Sequence, residues 1–206
     1  GRTQLSLYKG DVVINGWPKL KLDRALVDFT GSETNVIGLR LLHETDTKGS
    51  FELSGPVFPY SPDRISSLQI ALKSFELSGL VGTAMSQLVS GRIDTLPVEN
   101  SNSLSLPATE DGVTTLDVTF QVNPTSKIVL SRFPFLLNLA LHMDDPWYQE
   151  PVFESDATGT IHREKGNVAY KDLNLLSKGR MACRGEIMMA TNQQLSGNLE
   201  IGVAEA

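Results

Sequence analysis

The chain has 206 residues, with 18 Lys and Arg against 24 Asp and Glu, a net charge of −6 at pH 7 and 40% hydrophobic residues. That is the composition of a folded domain, long enough for one or two cores. The basic residues are scattered and outnumbered, which argues against a nucleic-acid partner and disfavours anionic membrane surfaces. The single cysteine, Cys183, excludes an internal disulfide and any cysteine-based zinc site. No run of about 18 apolar residues occurs, so nothing in these residues reads as a membrane-spanning helix. The chain begins Gly1-Arg2-Thr3, without a methionine, and stops within a strand-like pattern. We therefore expect a piece of a longer protein, with Gly1 left by tag removal and any targeting or membrane segment lying outside it.

Residues 1–60 read as a β-rich N-terminal part. Gln4 to Ile14 alternates around Leu5, Leu7 and Val12, and Asn15-Gly16 is a hairpin-type turn signal. Lys19–Leu22 and Ala25–Phe29 are expected as separate strands, followed by a turn at Thr30-Gly31-Ser32. Val36–Leu42 and Gly49–Gly55 are two more. Turn signals every eight to twelve residues predict an antiparallel sheet, sandwich or barrel rather than βαβ units.

Residues 61–206 read as a sheet with two helices, continuous with the first part. Pro56, Pro59 and Pro62 mark a loop, and Ser67–Leu77 is a strand with Leu68, Ile70, Leu72 and Phe75 largely on one face. Val81, Met85, Leu88 and Val89 recur at near-helical spacing, predicting a helix near 79–91 closed by Gly91. A polar, turn-rich stretch (Pro97, Asn100, Pro107, Asp111-Gly112) surrounds the short run Leu104-Ser105-Leu106. Leu116, Val118, Phe120 and Val122 form one face of the next strand. A second helix is predicted over 131–143, capped by Ser131, with Pro134 in its first turn and Asp144-Asp145-Pro146 ending it. Phe133, Phe135, Leu136, Leu137, Leu139, Ala140, Leu141 and Met143 leave it a polar stripe of only Asn138 and His142, so it is expected to be buried against sheet.

The last stretch, 158–203, reads as four consecutive strands. Gly159–Arg163 is the first, and Val168–Leu176 follows the turn Glu164–Asn167, with one phase slip at Lys171-Asp172. After Ser177–Arg180, Met181, Cys183 and Ile187 share one face while Arg184 and Glu186 take the other. The fourth strand sets Leu195, Leu199, Ile201 and Val203 on one side, with Gly197 among them. Together with Leu173 and Leu175, the residues Met181, Cys183, Ile187, Leu195, Leu199 and Ile201 are expected to line one apolar face. That is too much greasy surface to leave in water without a cover or a ligand.

No catalytic motif is present: no G-x-S-x-G elbow, H-E-x-x-H, Walker loop or G-x-G-x-x-G. His142, Asp144, Asp145 and Glu150 have the donor types of a metal site, but a helix C-terminus with a histidine near the dipole accounts for them. His43-Glu44-Thr45-Asp46 and His162-Arg163-Glu164 lie beside expected turns, where solvated charge is normal, and Glu154 and Asp156 sit in a loop. Trp147 and Tyr148 read as core or interface packing. No cofactor and no metal are expected.

The phrases Gly159-Thr160-Ile161, Lys171-Asp172-Leu173-Asn174-Leu175, Gly185-Glu186-Ile187 and Leu195-Ser196-Gly197-Asn198-Leu199-Glu200-Ile201-Gly202-Val203 resemble the C-terminal region of AsmA-like envelope proteins. The resemblance covers about 45 residues of loose Gly and Leu spacing. It implies a periplasmic body anchored to the inner membrane by a segment outside these residues. It also implies a long curved sheet with an apolar groove, and a role in carrying or shielding lipids or in outer-membrane assembly, with lipid or an envelope protein as partner. It brings no catalytic residues. The fold expected is thus mainly β, a curved antiparallel sheet with two helices, and the function non-enzymatic. Two alternatives stand beside it. One is a hydrolase or carbohydrate-active enzyme on a β-sandwich, which needs two carboxylates in one cleft. The other is an interaction module with a closed core.

Overall fold

Period-two alternation builds most of the chain, and the computed structural model describes it over residues 2–13, 19–31, 33–58, 61, 63–81, 83–97, 101–107 and 112–204. Ile14, the Asn15-Gly16 turn, Ser32, Pro59, Pro62, Asn100 and Asp111, all singled out above, lie outside the described residues. The first strands are β1 (Arg2–Val12), β2 (Leu20–Thr30), β3 (Glu33–His43), β4 (Ser50–Val57), β5 (Ser66–Lys73) and β6 (Phe75–Glu76). They are followed by β7 (Val89–Ser90), β8 (Arg92–Thr95), β9 (Ser103–Leu106), β10 (Thr115–Val122) and β11 (Ile128–Leu130). After helix α1 (Pro134–Met143) come β12 (Val152–Phe153), β13 (Ser155–Glu164), β14 (Asn167–Ser177), β15 (Met181–Met189) and β16 (Leu195–Val203).

Thirteen of the described strands form one antiparallel sheet in the order β1-β2-β3-β4-β5-β9-β10-β13-β14-β15-β16, with β8 on β10 and β6 on β8. A second sheet, β12-β11-β7, is small. The register carries one apolar row across the large sheet. Leu68 lies opposite Leu104, Leu104 opposite Leu116, Val118 opposite Ile161, Ile161 opposite Tyr170 and Tyr170 opposite Ile187. This inner face packs into one cluster with Leu77, Leu80, Val81, Met85, Val89, Ile128, Leu130, Phe133, Leu136 and Tyr148, which lie over it. Phe51, Phe75, Phe120, Phe133 and Phe153 are all at most 1% exposed. At about 1.5–3 kcal/mol for each such side chain, the centre of the sheet holds the fold. A cation enters this core: Arg163 is 3% exposed and donates from Nη1 to the carbonyl of Leu80 at 3.1 Å.

Several expectations are corrected. The helix expected near 79–91 does not form. Instead a 3-10 turn, Leu77–Leu80, leads to a single helical turn, Thr83–Ser86, and then to β7. Val81, Met85 and Val89 are nevertheless all buried, so their spacing reflects burial rather than a continuous helix. Short segments of this kind do not repay helix nucleation, and tertiary packing sets their conformation. Gly91 does not close a helix. Its φ of 132° lets the chain pass the Lys127 carbonyl, which a Cβ would meet at 2.1 Å. The expected strands 19–22 and 25–29 are one strand, β2, interrupted by an irregularity between Leu22 and Arg24. The expected 67–77 strand is broken at Ser74, whose φ is 47°.

Helix α1 forms where expected, but not with the expected burial. Leu136 and Ala140 are buried and Phe135 and Leu139 half-buried, whereas Leu137 is 39% and Leu141 79% exposed. It lies on the sheet by one side only. Its N-cap is Phe133 with no side-chain cap, not Ser131; Pro134 occupies the first turn, where no amide donor is needed. Asp144, in a left-handed conformation, ends it by donating its N–H to Ala140.

Candidate functional site

The four C-terminal strands place all eight candidate residues on the inner face. In β14, Asp172 adopts φ 51° and the register to β15 shifts between Tyr170 and Leu173, a bulge at the expected phase slip. The bulge brings Leu173 and Leu175 onto the side already occupied by Tyr170. Leu175 then lies opposite Cys183, Cys183 opposite Ile201, and Ile187 opposite Gly197. Leu199 faces Gly185.

The eight fall into two environments. Leu173, Leu175, Met181, Cys183 and Ile187 are 0–6% exposed, covered by the small sheet and α1. Leu173 and Leu175 border a small internal void of about 20 Å³, together with Phe133 and Tyr170. Leu195 and Leu199 are only half-buried, and Ile201 is 37% exposed. Beside them runs an open trough of about 520 Å³, walled by Phe133, Pro134 and Phe135 at the start of α1 and floored by Ile187, Leu195, Leu199 and Ile201. Ile187 and Phe133 border both spaces, so the trough abuts the closed core. Its volume is that of a small-molecule site.

Two glycines shape the floor. Gly185 has φ 126° and Gly197 φ 150°, and a Cβ at either would meet a backbone oxygen of the neighbouring strand at 2.0 or 2.2 Å. Only glycine lets β15 and β16 pair there, and neither position carries a side chain above the floor. The glycine spacing was legible in the sequence. The Phe133-Pro134-Phe135 wall was not: those residues read as the first turn and core of a buried helix, yet all three border the trough.

The polar groups of the site are few. Among the trough's lining residues Glu186 is the one carboxylate, and in a separate cavity of about 340 Å³ between Trp147, Leu176 and Arg180 it is Glu154. Burial pushes the Cys183 thiol up to about 11, so it behaves as a small hydrophobe. Burial also raises Tyr170, whose hydroxyl has no hydrogen-bond partner among the described residues.

Several of the other candidates are engaged structurally. Asp145 accepts from the Trp147 amide at 2.9 Å and from Arg180 at 3.2 Å, and Arg180 stacks over Trp147 at 4.9 Å. Trp147 and Tyr148 meet edge to face at 5.1 Å, and Tyr148 is buried. Asp46 pairs with Arg92, and His43 Nδ1 accepts from the Thr45 amide at 3.3 Å. On the outer face His162 Nδ1 lies 2.7 Å from Asp117 and Nε2 3.6 Å from Glu164. Among the described residues no three His, Cys, Asp or Glu side chains are grouped to hold a metal ion. No helix among them is long and apolar enough to cross a membrane.

Fold and site together define a large antiparallel sheet with a covered centre and an open apolar trough at one edge. No protein-family model, curated protein or solved structure matches the chain.

Proposed function

We propose that this chain is a non-enzymatic, AsmA-like envelope domain that holds or shields lipid acyl chains, on a curved sheet roofed in part by its apolar helix. The observation that carries the reading is the trough between the start of α1 and β15–β16. It is apolar, open to solvent, continuous with the core and large enough for a ligand. A mostly apolar space, whose polar lining here is Glu186, Ser196 and Asn198, selects for greasiness rather than for a particular shape. The resemblance of residues 158–203 to AsmA-like C-terminal strands supports the same assignment. In that setting the domain works in the periplasm, tethered to the inner membrane by a segment outside these residues. There it assists lipid transport or outer-membrane assembly beside lipid and envelope-protein partners.

A hydrolase would need paired carboxylates in one cleft. Glu186 in the trough and Glu154 in the separate 340 Å³ cavity are each the one carboxylate among the lining residues of their spaces. An interaction module with a closed core would need the C-terminal apolar face covered, whereas Leu195 and Leu199 are only half-buried and Ile201 is 37% exposed. Titration with a fluorescent long-chain fatty acid tests the lipid reading. Saturable binding, lost in Leu199→Asp while the circular dichroism spectrum is kept, is expected. Absence of binding to the parent protein would refute it.

A further inference from the structure

The trough lacks one wall, on the side of β16. This strand pairs with β15 along its whole length, from Leu195 opposite Met189 to Val203 opposite Met181, without a register shift. Among the described residues no strand pairs with its other edge. Sheets normally protect such an edge with charge, proline or a bulge. Strand β1, at the opposite end of the sheet, is protected: it carries Arg2, Lys9 and Asp11, and Lys9 has a φ of 58°. In β16, Glu200 is the one charged side chain, there is no proline, and Ile201 and Val203 are each 37% exposed.

We propose that two copies of this chain pair antiparallel through the free edges of β16, about a two-fold axis normal to the sheet. That operation keeps the inner face of one copy beside the inner face of the other, so the interface is isologous. The sequence of β16 is self-complementary in a register centred on Leu199. Leu199 then meets the partner's Leu199, Ile201 lies opposite the partner's Gly197, and Val203 opposite the partner's Leu195. On the outer face Glu200 lies opposite the partner's Asn198, so no like charges oppose each other, and each Glu200 keeps Arg184 across from it in its own sheet. The second copy supplies the missing wall, and two half-open troughs become one. What that trough holds rests on the lipid reading above; the pairing itself does not.

Sedimentation velocity on the 206-residue chain, loaded from about 1 to 500 µM to span the range of weak strand-mediated association, reads the pairing directly. The mass is expected to rise with concentration from 22.5 kDa toward twice that value. Asn198→Lys sets a new lysine opposite the partner's Glu200 at two symmetric places, and tightens the dimer by about 2- to 30-fold. Combining it with Glu200→Lys sets lysine opposite lysine, and weakens the dimer by a similar factor. Both side chains alternate to the outer face; Asn198 also borders the trough, so these variants are read by mass alone, and circular dichroism checks that the fold is kept. A mass of 22.5 kDa at every concentration overturns the proposal. So does a shift of the same sign in the single and double variants, which means association that does not use this register. Fatty-acid titration is read separately: a dimer with the expected charge response that binds no fatty acid sustains the pairing and refutes the lipid reading alone.

Discussion

Replacing Leu136 by alanine tests how α1 sits on the sheet. Leu136 is 0% exposed, packed in the cluster that holds Phe133 and Leu130, while Leu141, five residues on, is 79% exposed. Leu→Ala at a fully packed site costs roughly 2.7–5 kcal/mol, the removed methyl groups adding their transfer energy to that of the cavity left behind. At an exposed site the change stays within about 0.5 kcal/mol. Half-buried Leu139 falls between the two. For a chain of this length each kcal/mol moves Tm by about 2–4 °C, so Leu136→Ala should lower it by about 5–20 °C and Leu141→Ala by about 2 °C or less. Urea denaturation followed by circular dichroism gives the free energies, with the slope m unchanged if only stability has altered. Equal costs at the two positions, or a Leu136→Ala protein as stable as the parent, would refute the one-sided packing that leaves the trough open.

Two further outcomes follow from the buried polar groups. Folding raises the Cys183 thiol from 9.0 to about 11, so it stabilises the protein fully below pH 9 and that contribution is lost as the pH rises toward 11. Cys183→Ala should flatten this part of the stability profile, and the folded parent should resist thiol reagents at neutral pH; rapid labelling would contradict the burial. Because the Tyr170 hydroxyl is buried without a hydrogen-bond partner among the described residues, Tyr170→Phe should be neutral or stabilising by up to about 1–3 kcal/mol in denaturant titration. A loss of more than about 1 kcal/mol would reveal a partner for the hydroxyl.

The C-terminal strands were legible because each alternates cleanly between turn residues, and even the bulge at Asp172 was visible as a one-residue slip in the apolar pattern. The same signal misled where a bulge broke the alternation: the irregularity after Leu22 made one strand look like two. Between Val81 and Val89, steps of four residues fit a helix, yet the segment is a turn, a single helical turn and a two-residue strand held by the sheet beneath. Strands β7, β8, β11 and β12 are only two to four residues long, too short to display a period. For α1 the sequence reported apolarity all round, but not which side would find a neighbour. That second fact depends on residues distant along the chain, and it decides where the trough opens. The floor of the candidate site could therefore be read from Leu195, Leu199 and Ile201, while its wall at Phe133 and Phe135 could not.

The claim that the trough holds acyl chains is tested most directly by mass spectrometry of lipids that remain with the protein after expression in the periplasm and mild purification. The parent chain is to be compared with Leu199→Asp, checked to remain folded. Acyl lipid is expected on the parent and strongly depleted in the variant, since a carboxylate on the trough floor stays charged at neutral pH and penalises an apolar chain beside it. Equal lipid in the two proteins, or none in either, would contradict it.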